Sequence, residues 1–153
     1  MKKIAFIDGG NAEIIGSSNF SASLIRVWYV IYDGTKRTAA KKLDIFAVVQ
    51  SKNGDGGIAY DVSFIGVEKI GLDGFSMSSL DTSMMQGSSR VEIKSVVNAS
   101  RRFAELKMAK YVSSNKLADI IVIDGNLQST LPNEDAYLDE LYDSCFSNNV
   151  VLC

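Results

Sequence analysis

The sequence contains no histidine and only two cysteines, Cys145 and Cys153, among its 153 residues. The absence of histidine excludes serine-histidine-aspartate catalysis, cysteine-histidine catalysis and histidine-based zinc sites within this chain. The two cysteines form no Cys-x-x-Cys pair and indicate no disulfide framework. Any catalysis by this chain would therefore depend on other side chains.

Long apolar runs and an excess of one charge are also missing. No apolar run approaches the roughly 20 residues that span a bilayer, and Met1-Lys2-Lys3 leads into a strand pattern, not a signal peptide. We therefore predict a soluble, cytoplasmic protein. The net charge of −2 shows no basic bias, so contact with nucleic acid would depend on local patches or metal ions. The length and the 46% hydrophobic content predict one globular domain, residues 1–153.

Two segments share one pattern, an apolar run that stops at an Asp followed by Gly. They are residues 4–9 and residues 120–125. Unbroken apolar runs are typical of strands that are buried on both faces of an α/β sheet. Ligands of such sheets bind at the carboxyl ends of the strands, where glycine lets the chain turn. Asp8 and Asp124 are therefore candidate metal ligands.

The Asp-Gly pair occurs five times in the sequence, and three of the five pairs are expected to be turns. Asp33, followed by Gly, lies between two strand patterns, and Asp55 lies in a glycine-rich run that predicts a tight hairpin. A strand-end Asp can also serve as a cap. Asp8 and Asp124 each have this structural alternative.

The predicted elements are an antiparallel meander followed by helix, strand, helix and strand. The strands are expected at about residues 3–8, 23–33, 43–51, 58–67, 119–124 and 150–153. The helices are expected over 89–113 and 131–147, the second with Asn133 as its N-cap, and 71–88 is expected to be a loop. This order predicts an α/β fold with an RNase H-like mixed sheet.

In that fold the first strand and the strand after the first helix are parallel neighbours. Asp8 and Asp124 would then project from adjacent strands and share one or two divalent cations, for which oxygen ligands favour Mg²⁺ or Mn²⁺. A third carboxylate is expected from the helix between them. Glu105 is the candidate because it lies in the helix half nearest the next strand, with Glu92 as its rival. A surface ion pair with Arg101 is the structural alternative for Glu105.

The same segments resemble the NurA-type nuclease family. Residues 7–10 are Ile-Asp-Gly-Gly, Arg101 and Glu105 lie four positions apart on the helix, and residues 121–127 are Ile-Val-Ile-Asp-Gly-Asn-Leu. Family members carry an Asp-Gly at the first strand, a helical Glu and an Asp-Gly-Ser-Leu-like segment in this order. Asn126 stands where the family often has Ser.

The resemblance implies an RNase H-like deoxyribonuclease that uses Mn²⁺ or Mg²⁺, with two ions. It would cut single-stranded DNA internally and from 5′ ends, in DNA end resection and repair. Asp8, Glu105 and Asp124 would be the catalytic metal ligands, with one ion activating a water and the other stabilising the leaving 3′ oxygen. The implied partners are a HerA-type hexameric ATPase and a second copy of the chain. Family members continue beyond residue 153, so we expect a C-terminally truncated or naturally split chain with an incomplete active site.

Two groups of basic residues are candidates for DNA contact, with solvated surface charge as the alternative for both. They are Lys36, Arg37, Lys41 and Lys42 between two strands, and Arg101 and Arg102 on the first helix. Two other functions stay open. One is a non-catalytic docking or dimerisation module that uses a sheet edge and the Met-rich segment 71–88. The other is an actin-like nucleotide-binding domain, although neither a P-loop nor Gly-x-Gly-x-x-Gly is present.

Overall fold

The structure is a computed structural model that describes residues 2–54, 56–67 and 69–153. These residues form one mixed sheet of seven strands, with two helices. The strands are β1 (Lys3–Gly16), β2 (Phe20–Asp33), β3 (Lys36–Gly54), β4 (Gly57–Ile65), β5 (Phe75–Ser78), β6 (Ile120–Ile123) and β7 (Val151–Leu152). The helices are α1 (Ile93–Ser114) and α2 (Glu134–Asn148). The predicted α/β class is confirmed.

The sheet order β5-β4-β3-β2-β1-β6-β7 places the meander on one side of β1 and the later strands on the other. Strands β1 to β5 pair antiparallel with their neighbours. β6 pairs parallel with β1, from Ile4 opposite Ile120 to Ile7 opposite Ile123, and β7 pairs parallel with β6. β1 therefore lies at the boundary between the antiparallel and the parallel parts of the sheet.

Helix α1 covers one face of this sheet. The apolar stripe predicted on this helix is confirmed, because every member of it is buried: Ile93, Val96, Val97, Ser100, Phe103, Ala104 and Met108. Phe103 lies at the centre, with its ring 5.1 Å from that of Phe75 on β5 and stacked 4.5 Å from that of Tyr137 on α2. The other face of the sheet is less covered, and Phe6 and Phe46 are each 46% exposed there.

Strand β1 does not end at Asp8, as the apolar run predicts, but continues to Gly16. The reason is its partner on the antiparallel side, since the β1–β2 pairing runs from Lys3 opposite Asp33 to Gly16 opposite Ser21. Hydrogen bonding to β2 keeps the chain extended beyond the apolar core. The parallel pairing with β6 does stop at Ile7. Asp8 is therefore the first residue of β1 beyond the parallel part of the sheet.

Other element boundaries also differ from the predictions. β2 and β3 are longer than expected for the same reason as β1, and α1 begins at Ile93 instead of residue 89. The predicted loop 71–88 contains β5, which pairs with β4 and buries Met77. A strand of four residues is too short for its alternation to be recognised in the sequence. Leu72 in the same segment is buried as well, so this segment contributes side chains to the core.

The C-terminal elements are only partly as predicted. Leu138 and Leu141 of α2 are buried, whereas Tyr142 is exposed. Asn133 occupies the N-cap position but makes no side-chain cap, because its backbone is left-handed with φ 66°. The final strand β7 has two residues at the edge of the sheet and is not buried.

The predicted turns at Asp33 and Asp55 follow strands that pair as hairpins. Asp33 pairs with Lys36, and Gly34 between them has a φ of 59°. The second hairpin closes with Gly54 opposite Gly57, and Asp55 lies outside the described residues. Within the described part of the chain, no helix has the length and apolar character needed to cross a membrane.

The hydroxyl of Tyr60 connects β4 to the segment before α1. This buried hydroxyl donates a 2.7 Å hydrogen bond to the Val91 carbonyl oxygen. We expect Tyr60→Phe to lower the free energy of unfolding by about 1–2 kcal/mol, because the Val91 carbonyl loses its partner while the ring stays packed. Urea unfolding measures this loss, and an unchanged free energy would contradict it.

Candidate active site

The parallel pairing of β1 with β6 makes Asp8 and Asp124 neighbours. The last parallel pair is Ile7 with Ile123, and the next residue of each strand is the predicted aspartate. Asp8 continues β1 opposite Trp28 of β2. Asp124 ends the strand because Gly125, with a φ of 99°, turns the chain. Both carboxylates therefore lie at the point where the parallel part of the sheet stops.

Glu105 of α1 reaches the same point from the covered face of the sheet. A Cβ added to Gly9 would lie 2.8 Å from Oε1 of Glu105, so this carboxyl group rests on the backbone next to Asp8. Glu105 is only 5% exposed. The rival Glu92 is exposed and lies 13 residues earlier, about 20 Å along the helix axis. Of the two, Glu105 is the one that lies beside Asp8.

The environment of Glu105 disfavours its charged form. The pKa of this carboxyl group is raised to about 7, mainly by burial, against the opposing effect of Arg101 and Arg102 and with a smaller contribution from the nearby Asp8 and Asp124 carboxylates. The expected ion pair with Arg101 is present but long, with Nη1 3.4 Å from Oε1. A carboxyl group buried beside two other acidic groups gains from a bound cation, which offsets their repulsion.

The three acidic residues have the chemistry of a site for a hard cation, since carboxylate oxygens suit Mg²⁺ and Mn²⁺. Their side chains do not converge on one point, and no cluster of three potential ligands occurs among the described residues. The Asp8 carboxylate instead accepts a 2.7 Å hydrogen bond from the backbone N–H of Gly9. The structure thus brings the backbone positions of the three residues together, while the Asp8 side chain, in line with Trp28 and Lys42 on the face opposite α1, stays bonded to its own strand.

Arg102 forms hydrogen bonds that hold the loop after Asp124 in place. Its Nε donates to Oε1 of Glu134 at 2.9 Å, and its Nη1 donates to the carbonyl oxygen of Asp124 at 2.8 Å. Its Nη2 donates to the carbonyl oxygen of Asn126. The Glu134 carboxylate, 1% exposed, also accepts the backbone N–H groups of Thr130 and Leu131, at 2.9 and 3.1 Å. This buried ion pair therefore fixes the chain between Asp124 and α2.

A cavity of about 420 Å³ opens beside Glu105 and Asp124. One side of α1 forms one wall, and the segment from Asp124 to Glu134 forms another. We refer to it as the α1 groove. It is lined by Met84, Ser95, Asn98, Ala99, Arg101, Arg102, Glu105, Asp124, Gly125, Asn126, Thr130, Leu131 and Glu134.

Comparison with protein-family models gives one match, to the NurA domain, over residues 2–151. The chain belongs to the NurA family. This is a family of nucleases that act on nucleic acid, and the resemblance noted in the sequence is confirmed. Comparisons with curated proteins and with solved structures gave no match.

In this NurA-family chain the basic residues predicted to contact DNA are spread over several surfaces. Lys36 and Arg37 are exposed at the start of β3. Lys41 lies under α1, where its Nζ is 3.3 Å from the Tyr111 hydroxyl. Lys42 is exposed on the face of the sheet opposite α1. There it pairs across the strands with Trp28, which in turn pairs with Asp8. Their role in DNA contact stays a prediction.

Sequence reasoning missed several features of this NurA-family site. Glu134, Ser95 and Asn98 were not singled out in the sequence. Arg101 and Arg102 were predicted to have the same role, but Arg102 faces the loop after Asp124 and Arg101 faces Gly9, whose carbonyl oxygen accepts a 2.9 Å hydrogen bond from Nη1. The two arginines have different partners because of the rotation of α1 about its axis, which the sequence alone does not show.

We expect a side chain at position 9 to destabilise the fold, because Glu105 lies against Gly9. We expect Gly9→Ala to lower the free energy of unfolding by about 1–2 kcal/mol, since the new methyl group would crowd Cγ and Oε1 of Glu105. Gly10→Ala is the matched control, because a Cβ there meets no atom within 4 Å. Urea unfolding of both variants makes the comparison. Equal effects in the two variants would contradict the predicted contact.

Proposed function

We propose that this chain is a metal-dependent deoxyribonuclease domain with an RNase H-like arrangement of its acidic residues. The observation that carries the proposal is the placement of Glu105 against the backbone of β1 at Gly9, beside Asp8 and Asp124. β1, the end of the parallel strand β6 next to it and the helix α1 that precedes β6 each supply one carboxyl group. Membership of a nuclease family supports the same reaction.

Asp8, Glu105 and Asp124 are the residues that would hold Mn²⁺ or Mg²⁺, with two ions in the proposed state. The bound ions would supply an activated water and a stabilised leaving oxygen. The protein itself holds the groups in place. Arg101 keeps Glu105 against Gly9, and Arg102 fixes the backbone of Asp124. Glu105 must lose its proton to bind a cation, so binding would release a proton below about pH 7.

The preferred substrate in this proposal is single-stranded DNA, cut internally and from its 5′ end. We also propose, from family membership alone, that the protein acts in DNA end resection in the cytoplasm. Its partners would be a HerA-type hexameric translocase and a second copy of the chain. Co-purification with such a translocase and light scattering of the isolated protein would test the two partnerships, and a monomer that binds no translocase would contradict both.

Cleavage of end-labelled single-stranded DNA in Mn²⁺, Mg²⁺ or EDTA tests the proposed reaction. We expect cutting in Mn²⁺ or Mg²⁺ but not in EDTA, and loss of cutting in Asp8→Asn and Asp124→Asn. Asp139→Asn is the matched control, because Asp139 is exposed on α2 outside the α1 groove. Cutting that survives EDTA, or that survives both site substitutions, would contradict the proposal.

A non-catalytic docking module is the second candidate function. The half-exposed apolar face of the sheet, with Phe6 and Phe46, favours it. The segment 71–88 does not support it in the predicted way, because Leu72 and Met77 are buried in the core. A chain that binds a translocase or itself but cuts no DNA in Mn²⁺ would favour this candidate. ATP binding by the purified chain would instead favour an actin-like domain.

A further inference from the structure

The α1 groove has polar features that the three acidic residues do not account for. Ser95, Asn98 and Arg101 recur at intervals of three along α1 and lead to Glu105. Residues three or four apart on a helix are neighbours on its surface. From Ser95 to Glu105 the helix rises about 15 Å, so these side chains form a continuous polar stripe that ends at the candidate metal site.

Arg101 and Arg102 differ in what remains free to bind a ligand. The donors of Arg102 are taken up by Glu134 and by two carbonyl oxygens. Among the described residues, Arg101 forms one hydrogen bond, to Gly9, and one ion pair, with Glu105, both through Nη1, and its buried Nε has no hydrogen-bond partner. An unpartnered buried N–H is unfavourable and rare in folded proteins. A ligand that draws this guanidinium into the groove would give Nε a partner.

The chemistry of Arg101 selects the part of a ligand that it can bind. A planar guanidinium presents several N–H donors in a fork that matches a phosphate group. The position also suits a phosphate, because Arg101 lies one helical turn before Glu105 and therefore close to the candidate metal site. We take the phosphate-binding end of the groove to be at Arg101.

The far end of the groove suits a nucleobase. The Asn98 amide has both donors and an acceptor, and among the described residues its side chain and that of Ser95 form no hydrogen bond. Met84 and Leu131 add apolar surface to the same cavity. Hydrogen-bonding groups next to apolar side chains can accommodate the edge and the face of a base. A volume of about 420 Å³ is within the range of small-ligand sites.

We propose that the α1 groove is a subsite for one nucleotide of single-stranded DNA. Arg101 binds its phosphate, Asn98 pairs with the edge of its base, and Met84 packs against the base. The identity of the ligand as DNA rests on the proposed nuclease function. A base whose pairing edge is bonded to Asn98 cannot pair with a complementary strand at the same time, so duplex DNA must unpair before it binds. The subsite thus gives a physical reason for preference for single strands.

Binding in EDTA, where the proposed cleavage is absent, tests the subsite separately from the reaction. The probe is a fluorescein-labelled oligodeoxythymidylate, followed by fluorescence anisotropy with the full chain. We expect dTMP to compete better than thymidine or inorganic phosphate at equal concentration, and a duplex of the same length to bind more weakly. Competition by phosphate as strong as by dTMP, or equal affinity for duplex, would overturn the proposal.

Substitutions locate the subsite. We expect Arg101→Ala to weaken oligonucleotide binding by at least about tenfold, since a charge-assisted hydrogen-bond donor is lost. The oligonucleotide affinity of Arg101→Lys should lie between those of the wild type and Arg101→Ala, because lysine keeps the positive charge but not the forked N–H donors of the guanidinium. Asn98→Ala should weaken binding by about threefold or more. Lys94→Ala, which removes one exposed charge of α1 outside the groove, should change it by less than about twofold.

The outcomes for the subsite and for the nuclease function are distinguishable. Binding with the expected pattern but no cutting in Mn²⁺ would support the subsite and contradict the nuclease function. Cutting with an unchanged KM in both Arg101→Ala and Asn98→Ala would support the nuclease function and overturn the subsite. Equal losses of oligonucleotide affinity in Arg101→Ala and Lys94→Ala would also overturn the proposed subsite. Circular dichroism checks the fold, and Arg101→Lys with Asn98→Ala decides the question where Arg101→Ala fails to fold.

Discussion

Arg102→Met is expected to lower the free energy of unfolding by about 3–5 kcal/mol, because it leaves the buried Glu134 carboxylate without its counter-ion. Glu134 is almost completely buried and its Oε1 lies 2.9 Å from Nε of Arg102. The substitution also removes the donors that hold the carbonyl oxygens of Asp124 and Asn126. Urea unfolding of the variant, monitored by circular dichroism, measures the loss.

Two further variants test whether the buried charge is the cause. Arg26→Met breaks an ion pair of similar geometry with Asp44 on the exposed face of the sheet, so it should change stability little. Arg102→Met combined with Glu134→Gln should be more stable than Arg102→Met alone, because no unpaired charge is then buried. A loss of unfolding free energy in Arg102→Met as small as that in Arg26→Met would show that the Arg102–Glu134 ion pair does not stabilise the fold.

Glu105→Gln is expected to raise stability above pH 7 by up to about 3 kcal/mol while it abolishes metal-dependent cleavage. Burial raises the pKa of Glu105 from 4.5 to about 7 in the native state. Between these two values the native protein keeps a proton that the unfolded chain has lost. Stability of the wild type should therefore fall as the pH rises through this window, and the glutamine variant should not show this fall.

The measurements for Glu105 are urea unfolding at pH 5, 6, 7 and 8 and cleavage in Mn²⁺. We expect cleavage to fall by at least about 100-fold, since loss of a ligand should exceed the loss seen for residues that only support ligands. Glu92→Gln, at the residue just before α1, where Glu92 is exposed and distant from the site, should leave both results unchanged. If the unfolding free energies of wild type and Glu105→Gln changed with pH in parallel, the raised pKa of Glu105 would be contradicted. Full cleavage activity of Glu105→Gln would exclude Glu105 as a metal ligand.

A large part of this architecture could be predicted from the sequence because its signals are local. The apolar stripe of α1 recurs at helical spacing, and all of its members are buried. The run from Ile120 to Ile123 has no polar alternation and forms the strand beside β1. The aspartates that follow the two runs become neighbours because β1 and β6 pair in parallel as far as Ile7 and Ile123.

The errors arise where the deciding interaction is distant in sequence. β1 extends past Asp8 because β2 supplies hydrogen bonds as far as Gly16, and an apolar run does not encode its partner's length. The strand β5 exists because its four residues reach the free edge of β4. The side-chain cap expected from Asn133 does not form because its backbone is left-handed, and the adjacent Glu134 carboxylate binds Arg102 from another helix.

The sequence by itself determined the order of the elements other than β5, the core face of α1 and the two aspartates that follow the apolar runs, because periodicity and apolar runs depend only on neighbouring residues. Only the tertiary structure decided that Glu105, and not Glu92, lies next to the backbone of Asp8, and that Arg102 faces the loop after Asp124 while Arg101 faces Gly9. Those assignments depend on the rotation and height of α1 against the sheet. Both are set by side-chain packing between elements that are far apart in the chain.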